Sequence, residues 1–183
     1  MSHLTRTRVT FEIKFVIIYP NTGKGRVTTM IAKKCCFAGH SSVNDDSLAD
    51  RICLEVKRLV TECGVKLFQV GAYGDFDKYA AEAVRKAKEE YPHIILELVL
   101  PYLKKDGIPQ NLYDSVIIAN MPDNTPNRLK ILKANEYMVN NCDYLICYVN
   151  NSFGGAAKTL EYANKKRKVL INLASVSKNQ VGG

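Results

Sequence analysis

Several things are missing from this chain of 183 residues, and each absence narrows the reading. No apolar run approaches the length that spans a bilayer; the longest, Phe15–Tyr19 and Ile94–Leu100, are strand-sized. The N-terminus lacks the order of basic, apolar and small-residue regions that marks a secretory signal. No two of the six cysteines (Cys35, Cys36, Cys53, Cys63, Cys142 and Cys147) form a C-x-x-C pair, and no zinc-ligand spacing occurs, so no metal site is expected. There is no internal repeat, no low-complexity linker and no basic stripe. Of the net charge of +8, half lies in residues 1–29, which weakens any case for nucleic acid as partner. The densest cluster, Lys165-Lys166-Arg167-Lys168, falls where a helix ends and complements its dipole. These features point to a globular, cytoplasmic protein in a reducing compartment, with cysteines that serve as small buried hydrophobes; Cys53 and Cys63 are the candidates for a redox role.

What is present is a regular alternation of strand and helix from residue 33 onward. Cys35–Ala38 reads as a strand ending at Gly39. Leu48, Ile52, Val56, Leu59, Val60 and Cys63 recur at steps of three and four, a helical face stopped by Gly64. Val65–Val70 is the next strand, and Phe76, Tyr79, Ala80, Ala83, Val84 and Ala87 mark a second helix. Ile94–Leu100, Ser115–Ala119, Tyr144–Val149 and Val169–Leu173 complete the strands. Ile131, Ala134 and Met138 define one helical face, and Ala156, Leu160 and Ala163 another. The pattern predicts a Rossmann-like, three-layer α/β/α fold around a mostly parallel sheet. Residues 1–29 read as an appendage, either poorly ordered or an added strand, residues 30–175 as the domain, and residues 176–183 as a polar tail.

Right-handed crossovers put every strand-to-helix turn on one edge, where open α/β sheets bind ligands. Three of those turns stand out. The first is Gly39-His40-Ser41-Ser42. In the second, Gly71-Ala72-Tyr73-Gly74-Asp75-Phe76-Asp77, Asp75 reads as an N-cap or a ribose ligand, and Asp77 is harder to explain as a cap. The third is Asn150-Asn151-Ser152-Phe153-Gly154-Gly155, whose glycines admit a ligand to a helix N-terminus suited to phosphate, with Ser152 and Thr159 as hydroxyl donors. A tight turn with close helix packing explains Gly154-Gly155 equally well.

In this order the segments Phe37-Ala-Gly-His-Ser41, Gly71-Ala-Tyr-Gly-Asp-Phe-Asp77, Asn135–Val149 and Gly154–Ala163 resemble the YpsA-like branch of the SLOG superfamily, from about residue 33 to 174. The resemblance implies a Rossmann-like nucleotide-binding protein related to DprA and to the "lonely guy" phosphoribohydrolases. The departures are specific. Against the hydrolase signature P-G-G-x-G-T-x-E, Phe153 replaces the proline, Ala157 a glycine and Lys158 the threonine, while Thr159 and Glu161 stand one place late. Ala134–Met138 lacks the arginine of the family's helix motif, and Ser41 stands where relatives carry arginine. Both changes remove a group that pairs with phosphate. Arg128 and Lys133 are the candidate substitutes.

Three functional expectations follow. The first is a sensor or regulatory module holding a nucleotide or nucleotide-sugar derivative, such as an ADP-ribose-like compound, among Gly39, His40, Ser41, Gly71, Ala72, Gly74, Asp75, Asp77, Asn151, Ser152, Gly154, Gly155 and Thr159, with no further cofactor required. The second is an N-glycosidic hydrolase or transferase acting on nucleotides, with Glu161 as the acidic residue. The third is DNA binding of the DprA type. Homo-oligomerisation through the long helices is an additional expectation.

Overall fold

In the computed structural model, residues 14–16, 29–103 and 111–174 are described. By its contacts the chain divides into residues 1–32 and 33–183. In the first unit, β1 (Lys14–Val16) pairs antiparallel with β2 (Thr29–Ile31), Phe15 opposite Met30. The remainder of the expected Val9–Tyr19 strand, and the tail 176–183, lie outside the described residues.

The second unit is organised by β3 (Lys33–Gly39). Its side chains alternate across the sheet: Cys35 and Phe37 enter one buried cluster, Cys36 and Ala38 the other. Both faces are apolar, as a central parallel strand requires. Around it lie β4 (Val65–Val70), β5 (Ile95–Leu100), β6 (Ser115–Ile118), β7 (Tyr144–Tyr148) and β8 (Val169–Asn172). All six are parallel, in the order β6-β5-β4-β3-β7-β8.

Helices α1 (Leu48–Cys63) and α2 (Asp75–Glu90) pack together on the Phe37 face. Helices α3 (Asn127–Asn140) and α4 (Gly154–Lys165) pack together on the Cys36 face. The fold is therefore the expected Rossmann-like α/β/α sandwich. Gly64 ends α1 as the sequence indicates: at φ +70° it takes the left-handed conformation and donates its N–H to the Leu59 carbonyl.

The reading of α3 is corrected. Ala134 and Met138 are buried, but Ile131 is 39% exposed and Val139 takes its place inside. Asn127 and Arg128 are exposed, Leu129 and Lys130 are partly buried, and the fully buried positions of α3 are Ala134, Met138 and Val139.

Candidate functional site

The strand order reverses between β3 and β7. From β3 the chain moves outward through β4, β5 and β6, then returns to β7 on the other side. Such a switch point leaves a crevice at the carboxyl ends of the two strands. The first turn leaves β3 there, the third leaves β7, and the second follows the neighbouring β4.

Backbone contacts hold these turns against one another. Asp75 N–H donates to the Ser41 carbonyl at 2.9 Å. Gly74 lies so close to the first turn that a Cβ on it would stand 2.7 Å from Ser41 Cα. Asn150 N–H donates to His40 Nε2 at 3.3 Å, and the His40 ring meets Tyr148 edge-on at 6.5 Å. Gly39 is needed for another reason: a Cβ there would fall 2.2 Å from Phe76 Cγ, the ring that anchors α2 in the core. Gly39, His40, Ser41, Gly71, Ala72 and Gly74 thus belong to one contiguous region of the rim.

Neither aspartate of the second turn is the N-cap of α2. Gly74, in extended conformation, is the N-cap of α2, and no side chain caps the helix there. Asp75 is the first helical residue, and its carboxylate pairs with Lys78 at 3.1 Å. Asp77, the third helical residue, reaches back instead and accepts at 2.9 Å the N–H of Tyr73, the residue before the N-cap, a bond displaced by one position from that of a capping box. Its carboxylate packs on Gly71, where a Cβ would approach Oδ2 to 2.8 Å. Burial pushes the Asp77 pKa up to about 6, opposed by the Tyr73 hydrogen bond.

The third turn has a different character. Gly154 has φ +89°, a conformation that favours glycine, and Cβ atoms on Gly154 and Gly155 would meet nothing within 4 Å. Close helix packing therefore does not account for the pair; the backbone of the first turn of α4 faces open space. That helix has Phe153 as N-cap, no side-chain cap bond and no acidic residue in its first turn. Asn151 Oδ1 is buried and has no hydrogen-bond partner among the described residues. The Asn172 amide clamps the ends of β7 and β8, accepting Val149 N–H at 3.1 Å and donating to its carbonyl at 2.9 Å. Beside this clamp a cleft of about 650 Å³ is lined by Asn151, Ser152, Leu160, Glu161 and Asn172, among others.

The four remaining predicted contributors are placed differently. Thr159 is 1% exposed, donates its hydroxyl to the Gly155 carbonyl at 2.9 Å and accepts Asn135 Nδ2 at 3.3 Å, so it joins α4 to α3 rather than facing the rim. Lys133 lies at mid-helix, paired with Glu136 at 2.6 Å. Glu161 lines the cleft but is exposed and bonded to Lys165 at 2.7 Å, which holds its pKa below the usual value. Arg128 is exposed on the first turn of α3 with no ion-pair partner among the described residues.

The sequence reading missed Asp45, Arg51 and Tyr148. Asp45 accepts the Ser47 hydroxyl at 2.7 Å and the Ser47 N–H at 3.1 Å, and pairs with Arg51 at 3.0 Å. The Ser47 hydroxyl, with smaller help from Arg51 and Tyr148, holds its carboxyl below the usual range. Arg51 also donates to the Leu173 carbonyl, linking the start of α1 to the end of β8. The signal for this cluster was an aspartate two residues before the serine that opens α1. Among the described residues, no group of three His, Cys, Asp or Glu is poised to hold a metal ion, and no helix is long and apolar enough to cross a membrane.

No family model matches the chain. It is 28% identical over 127 residues to a UPF0398 protein of Halalkalibacterium halodurans, covering 62% of this chain and 66% of that one. Among solved structures, DNA processing protein A (DprA) of Streptococcus pneumoniae aligns with TM-score 0.57 at 15% identity, over 76% of this chain and 49% of that protein. The molybdenum cofactor binding protein of Rippkaea orientalis aligns with TM-score 0.54 at 14% identity, over 77% and 76% of the two chains. The chain thus spans about two thirds of the UPF0398 protein and about half of that DprA chain. Similarity to the UPF0398 protein bears out the resemblance to the YpsA-like branch of the SLOG superfamily, and DprA and the molybdenum cofactor binding protein share the fold.

Proposed function

We propose that this protein is a binding module for a nucleotide or nucleotide-sugar derivative, with the anionic group at the start of α4 and the rest of the ligand along the rim toward His40, Gly71 and Asp77. The observation that carries this reading is the open, uncapped first turn of α4 behind Gly154, set beside the crevice between β3 and β7. Free backbone N–H groups at a helix start, with the positive end of the dipole, favour phosphate. The buried acceptor Asn151 Oδ1 supplies a partner for a ligand hydroxyl or amine. The fold neighbours are described as binding a molybdenum cofactor and, for DprA of Helicobacter pylori, single-stranded DNA, which is in keeping with a ligand-binding role for the fold. Sparse cation provision distinguishes this rim: Ser41 brings no charge, Lys133 is neutralised by Glu136, and Arg128 is left as the candidate phosphate partner.

Isothermal titration calorimetry against nucleoside mono- and diphosphates, ADP-ribose and a short single-stranded DNA tests the reading. Saturable heat with one of the small nucleotides, with weaker affinity in Gly155→Ala, is the expected result. Absence of heat with every small compound removes the proposal, and binding of DNA alone transfers it to the DprA-like reading.

The hydrolytic alternative rests on Glu161 sharing a cleft with Asn151 and Ser152. Its lowered pKa suits an anionic stabiliser of a positively charged sugar rather than a proton donor. Release of base from nucleoside monophosphates that disappears in Glu161→Ala would establish this chemistry; turnover unchanged by that substitution excludes the role.

A further inference from the structure

The cysteines separate into two populations across the sheet. Cys35 belongs to the cluster beneath α1 and α2, whereas Cys36 and Cys142 belong to the cluster beneath α3 and α4. Cys36 lies in β3, and Cys142 in the turn between α3 and β7. Their sulfur atoms are 3.0 Å apart although 106 positions separate them in sequence. The backbone around the pair is tied together: Asp143 N–H donates to the Lys34 carbonyl at 2.8 Å, and the Asp143 carboxylate accepts Lys34 N–H at 2.8 Å. Lys168 Nζ donates to the carbonyl of Cys142 itself at 2.6 Å, bringing a positive charge to that side of the pair.

We propose that Cys36 and Cys142 are a redox modification site, a dithiol that a small peroxide converts to a reversible disulfide stapling β3 to the α3–β7 turn. Only a short approach separates the present contact from a bond of about 2.0 Å, and the hydrogen-bonded frame already holds the two chain segments together. Cys142 is the attacking sulfur. It follows the exposed residues Asn140 and Asn141, so its turn is the route of entry, and burial of both sulfurs favours a small oxidant over a bulky disulfide. The Cys36 thiol bonded to it, with Lys168 nearby, favours its thiolate, whereas burial pushes the Cys36 thiol up.

The reaction balances without a further reagent. The Cys142 thiolate attacks one peroxide oxygen, the O–O bond breaks, and the leaving hydroxide takes up the thiol proton as water, leaving a sulfenic acid. Cys36 sulfur then attacks Cys142 sulfur; the S–S bond forms, the S–O bond breaks, and a second water departs with the Cys36 proton. Two thiols have lost two electrons and two protons, and hydrogen peroxide has become two molecules of water.

The test treats the full chain with hydrogen peroxide, quenches, unfolds it, alkylates the remaining thiols and maps peptides without reductant. The expected result is loss of two of the six thiols, a peptide joining Cys36 to Cys142, and full recovery on adding dithiothreitol. Because the crosslink closes a long loop, the oxidised form unfolds about 5 °C or more above the reduced one. Cys142→Ser and Cys36→Ser abolish both changes, while Cys63→Ser keeps them. Crosslinks through Cys35, Cys53 or Cys63, or complete alkylation of Cys36 and Cys142 after treatment that oxidises the methionines, overturn the proposal.

Discussion

The ring of His40 accepts the backbone N–H of Asn150 through Nε2, at 3.3 Å, across 110 positions of sequence. This bond spans the crevice at the switch point and connects the two turns that border it. His40→Ala removes the tie without emptying the core, since His40 is only half-buried. We expect a stability loss of about 0.5–1.5 kcal/mol, the value of one such bond, and weaker nucleotide binding. Urea unfolding and calorimetry on the same variant check both.

Asp77 makes stability depend on pH in an unusual direction for a carboxylate. Its pKa is raised to about 6 in the folded protein, above the value near 4 of an unfolded chain. The folded state holds more protons between those values, so stability falls as pH rises from about 4 to about 6 and stays reduced above. Asp77→Asn keeps an oxygen that can accept the Tyr73 N–H and removes the half-buried charge. It should be more stable than the parent at pH 7 by about 1–3 kcal/mol, less whatever the α2 dipole returns to the anion, and equal to it near pH 4. Parallel denaturation curves of the two proteins across this range test the sign; a parent that gains stability from pH 4 to 6 relative to the variant would contradict it.

The adjacent glycines of α4 should respond oppositely to alanine. At Gly154 the left-handed φ imposes a cost of about 1–2 kcal/mol on any side chain. At Gly155 the new methyl group meets nothing, and alanine is the better helix former. Gly155→Ala is thus expected to fold as well as the parent while its methyl group occupies the space where the ligand phosphate is proposed, lowering affinity about tenfold, or 1.4 kcal/mol. Thermal unfolding separates the first effect and calorimetry the second.

Gly39 and Phe76 form a coupled packing pair. Gly39→Ala drives a methyl group into the buried ring and should cost about 1–3 kcal/mol. Phe76→Leu alone loses core contacts. In the double variant the smaller side chain accommodates the methyl group, so the loss should be less than the sum of the two. A double-mutant cycle that proves additive would show that the backbone, rather than the ring, yields.

Much of the path from sequence to site was local. The turn glycines, the strand-sized apolar runs and the stop at Gly64 each depend on a few neighbouring residues, and the observed elements begin and end within a few residues of those expected. The aspartates of the second turn were read less well. Asp75 has the chemistry of a cap, but the chain enters α2 through Gly74, and Asp77 is the residue that can fold back to Tyr73. Thr159 was misplaced because the broken signature does not tell which side of α4 faces α3. The Asp45–Arg51–Tyr148 cluster draws on α1, its preceding loop and β7, and no single window contains it.

The amino-acid sequence alone determined the kind of element at each point of the second unit, because helix and strand periodicity and glycine at a left-handed position are short-range properties. The tertiary structure decided which elements became neighbours. Pairing of β3 with both β4 and β7 brings His40 to Asn150 and Cys36 to Cys142. These contacts arise from burying both faces of a central strand at once, a condition on the whole domain that no segment expresses by itself.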